Sequence, residues 1–203
     1  MLEAVNLSCV RGERRLFSGL NFALSAGNFL QAFGPNGSGK TSLLRIICGL
    51  TAPAAGEVRW DGTNIRRLGE EYFGAIVYVA HQNGVKDELN PIENLRISSG
   101  VAGNTLSKPQ AQAVLERVGL SRQQHLPARL LSAGQRRRLG LSRLLASRAR
   151  LWILDEPLAS LDDDGATLAR NLIGEHLSND GMAIIATHQE MGLSAGQMQR
   201  IEL

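Results

Sequence analysis

The sequence predicts an α/β fold in which a parallel-rich sheet carries helices on its faces. Three observations predict it. Short apolar runs suited to buried strands alternate with segments of 3.6-residue apolar period, the pattern of parallel strands joined by crossover helices. One of these runs leads straight into a glycine-rich turn and then a helix. The stretch from about 84 to 148 holds no convincing strand, so it reads as a mainly helical insert between two strands.

Taken in order, the first strand covers residues 29–33, just before the glycine-rich turn. A helix follows over 41–50, with apolar residues at 43, 44, 46, 47 and 50. Residues 57–60 alternate and meet Asp61-Gly62, a strong turn signal. Residues 75–79 form a short apolar run fit for a buried strand. Within the insert, residues 98–105 are rich in Gly, Ser and Asn and read as a loop. A helix over 109–118 starts on Pro109, a favoured first position, and stops before Gly119. Further helices are expected over 133–149 and about 164–177, and further strands over 151–154 and 182–186.

The chain has 203 residues. At roughly 150 residues per domain this accommodates one core with a small inserted subdomain, not two full domains. One domain over 1–203 with an insert at about 84–148 is therefore expected. Hydrophobic residues at 43% and charged residues at 20% exclude long disorder or a fibrous repeat. The net charge is only +3, and arginine is spread along the chain rather than gathered in a stripe, so no nucleic acid partner is expected. Cys9 and Cys48 form neither a metal-ligand spacing nor a disulfide framework, and read as small apolar residues. No apolar run reaches the 18 residues of a membrane span, and Glu3 stands where a secretory leader would carry positive charge.

Gly34-Pro35-Asn36-Gly37-Ser38-Gly39-Lys40-Thr41 fits G-x-x-x-x-G-K-[ST], with Ser42 following. Polyphosphate oxygens must come close to backbone N–H groups, so side chains there must be small or absent. Gly37 and Gly39 also allow backbone angles that other residues avoid. The helix that opens after the loop offers its N-terminal amides to anions. Lys40 supplies a point charge to the outer phosphates, and the Thr41 hydroxyl can ligate Mg²⁺. Downstream, Leu151-Trp152-Ile153-Leu154-Asp155-Glu156 is an apolar strand ending in two acids. Asp155 can hold Mg²⁺ through water, and Glu156 is placed to polarise a water for attack on a γ-phosphate.

Leu131-Ser132-Ala133-Gly134-Gln135 begins a helix twenty positions before Asp155. It resembles the L-S-G-G-Q signature of ATP-binding cassette (ABC) ATPases. The other motifs then follow that family's order. Gln82 resembles the Q-loop glutamine, Ser160-Leu161-Asp162 the D-loop, and His188 the switch histidine. The resemblance covers residues from about 1 to 203. It implies a P-loop NTPase (RecA-like) core with a parallel-rich sheet, an antiparallel β portion near the N-terminus and a helical insert. It also implies that Ser132, Ala133, Gly134 and Gln135 contact ATP held by a second subunit, so that two ATPase chains pair head to tail. Glu156 would be the general base or water-positioner, His188 would bridge the γ-phosphate and the partner's D-loop, and Gln82 would touch Mg²⁺ or water. Lys40, Glu156 and His188 are thus the catalytic candidates. Residues 34–42, Gln82, 132–135 and Asp155 are the nucleotide-binding candidates, and Thr41, Gln82 and Asp155 those for Mg²⁺.

Two departures stand out: Ala133 replaces the usual Gly, and no aromatic residue near Cys9-Val10-Arg11 is available to stack on adenine. Arg11 could stack by its guanidinium plane, Val10 could give an apolar contact, and Phe17 is a weaker substitute. The segments at 79–89, 93–96, 130–138 and 151–157 together look like the cytochrome c biogenesis (haem exporter) ATP-binding subunits. That resemblance implies separate membrane-spanning subunits, a peripheral position on the cytoplasmic face of a bacterial inner membrane, and ATP hydrolysis serving haem delivery or haem-chaperone release. A different ABC transporter, or a soluble ABC ATPase acting on nucleic acid or ribosomes, is the alternative. A P-loop kinase or GTPase is disfavoured by the signature, and no Asn-Lys-x-Asp guanine-reading element occurs.

Four further features read as structural. His81 is a packed or exposed residue beside the Q-loop, with no Cys-x-x-Cys-His haem attachment site in the chain. His125 and His176 are surface residues, and Trp152 is core. Arg136-Arg137-Arg138 is a solvated face or the neighbour of a phosphate. Leu89, Ile92, Leu95 and Ile97 are either a groove for a membrane subunit or a packing face.

Overall fold

The computed structural model describes residues 1–82, 84–193 and 195–203. Its first two strands, β1 (Leu2–Arg11) and β2 (Arg14–Leu24), form an antiparallel pair. β3 (Phe29–Phe33) then runs into the glycine-rich loop, and α1 (Lys40–Ile47) leaves it. β4 (Ala55–Trp60) turns through Asp61 and Gly62 into the short β5 (Thr63–Asn64). Both turn residues have positive φ, 49° and 80°, as a type I′ hairpin requires. Two short helices, α2 (Ile65–Leu68) and α3 (Glu70–Ala75), lead to β6 (Ile76–Val79). Next come α4 (Pro91–Val101), α5 (Lys108–Arg117), a 3₁₀ turn at Ala128–Leu130 and α6 (Ala133–Ala146). The chain closes with β7 (Leu151–Asp155), α7 (Asp163–Ser178), β8 (Met182–Thr187) and β9 (Met198–Glu202).

The strands make two sheets. The antiparallel one has the order β2-β1-β4-β5, and the parallel one β6-β7-β8-β3-β9. Period two explains how the parallel sheet serves two cores. On β7, Leu151 and Ile153 pack toward α1 and the antiparallel sheet, while Trp152 and Leu154 pack toward α4–α7. On β8, Met182, Ile184 and Ala186 take the first side, and Ala183 and Ile185 the second. A strand covered on both faces must be apolar at every position, which is why these runs do not alternate.

Because the sheet is parallel, β3, β6, β7 and β8 all end at the same edge. The register aligns Phe33 with Thr187, Asp155 with Ala186, and Val79 with Leu154. Four loops that lie far apart in sequence therefore emerge side by side, at the place where α/β sheets bind ligands.

Several expectations need correction. Residues 98–101 are helical, not loop, since α4 runs on to Val101. A capping box between Asn90 and Glu93 starts that helix, and burial of Ile92 and Leu95 holds it. That burial also makes Ile92 and Leu95 packing residues, while Ile97 stays exposed. α1 ends at Ile47 and α6 at Ala146, each three residues short of expectation. His125 is exposed, but His176 is not a surface residue: its ring stacks on the buried Trp152, centroids 3.9 Å apart and planes 6° from parallel. Cys9 and Cys48 are free and buried.

Candidate active site

The loop after β3 folds as a bowl. Gly34, Gly37 and Gly39 have φ of 155°, 82° and 114°. A Cβ on Gly39 would stand 3.1 Å from the Leu16 side chain, a tight contact that adds to the demand of its positive φ. Lys40 is buried, and its Nζ donates to the carbonyls of Gly34 at 2.6 Å and Pro35 at 3.0 Å. Ser38 Oγ is also buried and has no hydrogen-bond partner among the described residues. A cleft of about 480 Å³ opens over this bowl. Asn36, Gly37, Gly39, Lys40, Thr41 and Ser42 line one side, His81, Asp155 and Glu156 the other. Arg11 and Leu16 line it as well, whereas Val10 and Phe17 do not.

Thr41 Oγ1 donates to Asp155 Oδ2 at 2.8 Å, bringing together two of the expected Mg²⁺ oxygens from positions 114 residues apart. Asp155 is 2% exposed. Burial raises its carboxyl above the usual range, the Thr41 hydrogen bond opposes that, and the neighbouring Glu156 adds to it. Glu156 has φ of 48°, a left-handed conformation unusual for a non-glycine residue. Its carboxylate is held at both oxygens: Thr187 Oγ1 donates to Oε2 at 3.1 Å, and His188 Nδ1 lies 3.1 Å from Oε1. The tautomer with hydrogen on Nδ1 makes that second contact a hydrogen bond and leaves Nε2 as an acceptor. Thr187 was not singled out in the sequence. Its place beside His188, at the end of a buried strand aligned with the phosphate loop, is the only cue.

Not every candidate reaches the cleft. Gln82 is exposed on the loop after β6 and does not line it, while the adjacent His81 does. Ser132, Ala133, Gly134 and Gln135 also lie outside its lining. Ser132 caps α6: its Oγ accepts from Gln135 N–H at 3.2 Å, and Gln135 Oε1 accepts from Ser132 N–H at 3.0 Å. Ser132 and Ala133 are exposed at this helix start. A Cβ on Gly134 would come within 3.1 Å of the Ser160 carbonyl, so glycine there lets the signature helix approach the loop after β7.

The three consecutive arginines are not a solvated face. Arg136 pairs with Asp87 and Arg138 with Asp162. Arg137 is 2% exposed and reaches beneath the cleft to backbone carbonyls on two of its loops. Asp162 also caps α7 by accepting from Gly165 N–H, and the Arg138 guanidinium and this cap hold its carboxyl below the usual range.

Comparison with known proteins gives this arrangement a family. The profile of the ABC transporter family matches residues 17–159. A cytochrome c biogenesis ATP-binding export protein, CcmA, of Nitrosospira multiformis is 53% identical over 202 residues, covering 100% of this chain and 98% of the relative. A protein of the same name from Nitrosomonas europaea is 49% identical over 203 residues, covering 100% and 95%. Among solved structures, a putative ABC transporter ATP-binding protein from Pyrococcus furiosus superposes with a TM-score of 0.85 at 26% identity, covering 98% of this chain and 96% of that one. A dimeric ATP-binding cassette in a post-hydrolysis state, bound to ADP and Pi, shares the fold with a TM-score of 0.82 at 24% identity, covering 93% and 88%. With the phosphate bowl, the acidic strand end and the signature helix in place on this fold, the chain belongs to the ABC transporter family as an ATP-binding subunit, similar over its whole length to that family's cytochrome c biogenesis export proteins.

Proposed function

We propose that this chain hydrolyses ATP in the cleft at the parallel-sheet edge and, as one of a head-to-tail pair, drives membrane-spanning subunits in c-type cytochrome maturation. The observation that carries the hydrolytic step is the doubly held Glu156 carboxylate beside the phosphate bowl. The backbone amides of Asn36, Gly37 and residues 39–42, with the Lys40 ammonium, bind the β- and γ-phosphates. The buried, unpartnered Ser38 Oγ and the open, positive-φ Gly37 fit a polyphosphate chain. Thr41 and Asp155 would hold Mg²⁺, whose chemistry here is charge neutralisation on the phosphate oxygens, and Gln82 would join them only by moving in from the exposed loop after β6. The Thr41–Asp155 pair of hard oxygens at 2.8 Å suits that ion. Arg11 and Leu16 give the base a cationic plane and an apolar edge in place of an aromatic ring.

Glu156 takes a proton from the attacking water, while Thr187 and His188 fix the direction of its lone pairs. His188 is 57% exposed; with hydrogen on both ring nitrogens it holds Glu156 through Nδ1 and donates through Nε2 to the γ-phosphate oxygens or to a second subunit. Phosphoryl transfer needs positioning and charge stabilisation more than covalent help, which is what these side chains supply. Of the signature residues 132–135, Ser132 and Ala133 are exposed and all four lie outside the chain's own cleft, as a site completed in trans requires. In this scheme residues 1–203 act as one ATPase domain, with about 84–148 as its helical subdomain.

The export role rests on the likeness to the cytochrome c biogenesis proteins. Among the described residues no helix is long and apolar enough to cross a membrane, and bilayer passage is assigned in this proposal to separate membrane-spanning subunits. We place this chain at the cytoplasmic face of the inner membrane, with haem delivery or haem-chaperone release as the coupled event. No nucleic acid partner is proposed, since Arg136 and Arg138 are each engaged within the chain and Arg137 is buried. Two measurements test the proposal. Glu156→Gln should bind ATP and hydrolyse it poorly, and steady-state hydrolysis close to wild type would refute the role of Glu156. A pull-down from detergent-solubilised membranes should recover membrane-spanning subunits, and recovery of nucleic acid or ribosomes instead would refute the partner class.

A further inference from the structure

Arg137 is among the largest fully buried side chains in the chain. Its guanidinium finds backbone oxygens from two separate loops. Nη1 donates to the carbonyl of Ala80 at 2.9 Å and more weakly to that of His81 at 3.5 Å. Nη2 donates to the carbonyls of Asp155 at 2.7 Å and Glu156 at 2.6 Å, and Nε to that of Pro157 at 3.3 Å. The first two residues lead into Gln82, and the other three form the exit of β7. Arg137 itself sits on α6, two residues beyond the end of the 132–135 signature.

A buried cation is an expensive way to fill space, since an apolar side chain of like volume packs more favourably. What arginine offers instead is a rigid, planar fork of donors that fixes the mutual position of whatever it binds. Here the fork grips the residue that most needs fixing. Glu156 is held in a left-handed backbone conformation that a non-glycine residue adopts only when its surroundings enforce it. Three bonds enforce it: Arg137 Nη2 on its carbonyl at 2.6 Å, the Ala159 N–H on the same carbonyl at 3.1 Å, and its own N–H to the Ala186 carbonyl at 2.8 Å.

We propose that Arg137 is a positioning residue for hydrolysis: it locks the backbone of Glu156 and the loop carrying His81 and Gln82 to the helix that presents the signature. The proposal rests on the assignment of Glu156 as the base. It gives the chain an internal strut, by which movement of the signature helix against a second subunit is felt directly at the hydrolytic carboxylate. Arg137 does not itself line the nucleotide cleft, and the lining residues it grips, His81, Asp155 and Glu156, lie outside the glycine-rich bowl, so binding and hydrolysis should separate when it is changed.

The test uses the full chain with Arg137→Gln and Arg137→Lys. Affinity is read with a fluorescent ATP analogue, steady-state kcat with Mg-ATP, and folding by thermal melting. Arg137→Gln should lower kcat about tenfold or more and leave nucleotide Kd within about threefold, with Arg137→Lys intermediate because it keeps the charge but loses the fork. A kcat within about twofold of wild type in both variants overturns the proposal. So does a parallel loss of binding and hydrolysis, or a failure of both variants to fold, since each makes Arg137 a scaffold residue only. If Arg137→Gln alone fails to fold, Arg137→Lys decides by the same two readouts. Wild type and Glu156→Gln run alongside: absent hydrolysis in the first, or undiminished hydrolysis in the second, refutes the assignment of Glu156 and not the strut.

Discussion

Thr187→Val isolates one hydrogen bond at the Glu156 carboxylate, the proposed base. Valine matches threonine in shape, so the 1%-exposed site stays filled while the hydroxyl that donates to Glu156 Oε2 disappears. A hydrogen bond to a charged group is worth about 1.5–3 kcal/mol. The low end applies here, because His188 still holds Oε1 at 3.1 Å. The Glu156 side chain is only 15% exposed, so water replaces the lost donor poorly. About 1.5 kcal/mol of lost orientation corresponds to roughly a tenfold lower kcat. ATP affinity should be unchanged, since Thr187 does not line the cleft. The same hydroxyl accepts from Gln189 N–H at 3.1 Å, so a loss of about 1 kcal/mol of stability, or about 2–4 °C in Tm, should accompany the change. Thr187→Ser should restore most of the rate. The assay is steady-state phosphate release at saturating Mg-ATP, with a separate binding titration. A Thr187→Val rate within twofold of wild type, or a Thr187→Ser rate as low as that of valine, would refute the reasoning.

Three other outcomes are expected. Gly181→Ala should cost about 2 kcal/mol, because the new Cβ would stand 2.4 Å from the His176 ring, which is stacked on Trp152 and bonded to the Met182 carbonyl; the cost should shrink sharply in a His176→Ala background, and an additive double mutant would contradict the clash. Burial holds the His176 imidazole below its usual range, so the unfolded chain takes up a proton first and stability should fall as pH drops through about 6.5. Urea midpoints at pH 7.5 and 5.5 should differ less in His176→Gln than in wild type, and equal differences would rule the residue out. Burial pushes the Cys48 thiol up to about 12, and Cys9 is buried too, so the native chain at pH 8 should react slowly with a disulfide reagent while the urea-unfolded chain yields both thiols at once; two fast equivalents from the native chain would contradict this.

Local chemistry made much of the fold legible. The strand at 29–33 and the helix starts at α5 and α6 are read within a residue or so, because buried runs and prolines act on their own neighbours. Three capping boxes, Asn90-x-x-Glu93, Ser107-x-x-Gln110 and Ser132-x-x-Gln135, were equally local and would have revealed α4. β1 escaped for a different reason. Its buried positions are Leu2 and Ala4, then Leu7 and Cys9, a shift from even to odd. An irregularity around Asn6, with φ of 52°, slips the register against both neighbours and destroys the period-two signal. β9 is an exposed edge strand that carries little apolar signal at all.

The glycine-rich bowl, the acidic strand end and the order of the motifs can be read along the chain, because each is a short run whose glycines, charges and caps act over a few residues. What surrounds them comes from contacts between distant segments. The fold joined Thr41 to Asp155, set Thr187 and His188 on the two oxygens of Glu156, and kept Gln82 and the signature out of the chain's own cleft. It also turned an apparently solvated arginine into the buried fork beneath that cleft. Such contacts depend on which strand ends the parallel register brings together, and no window along the chain contains them.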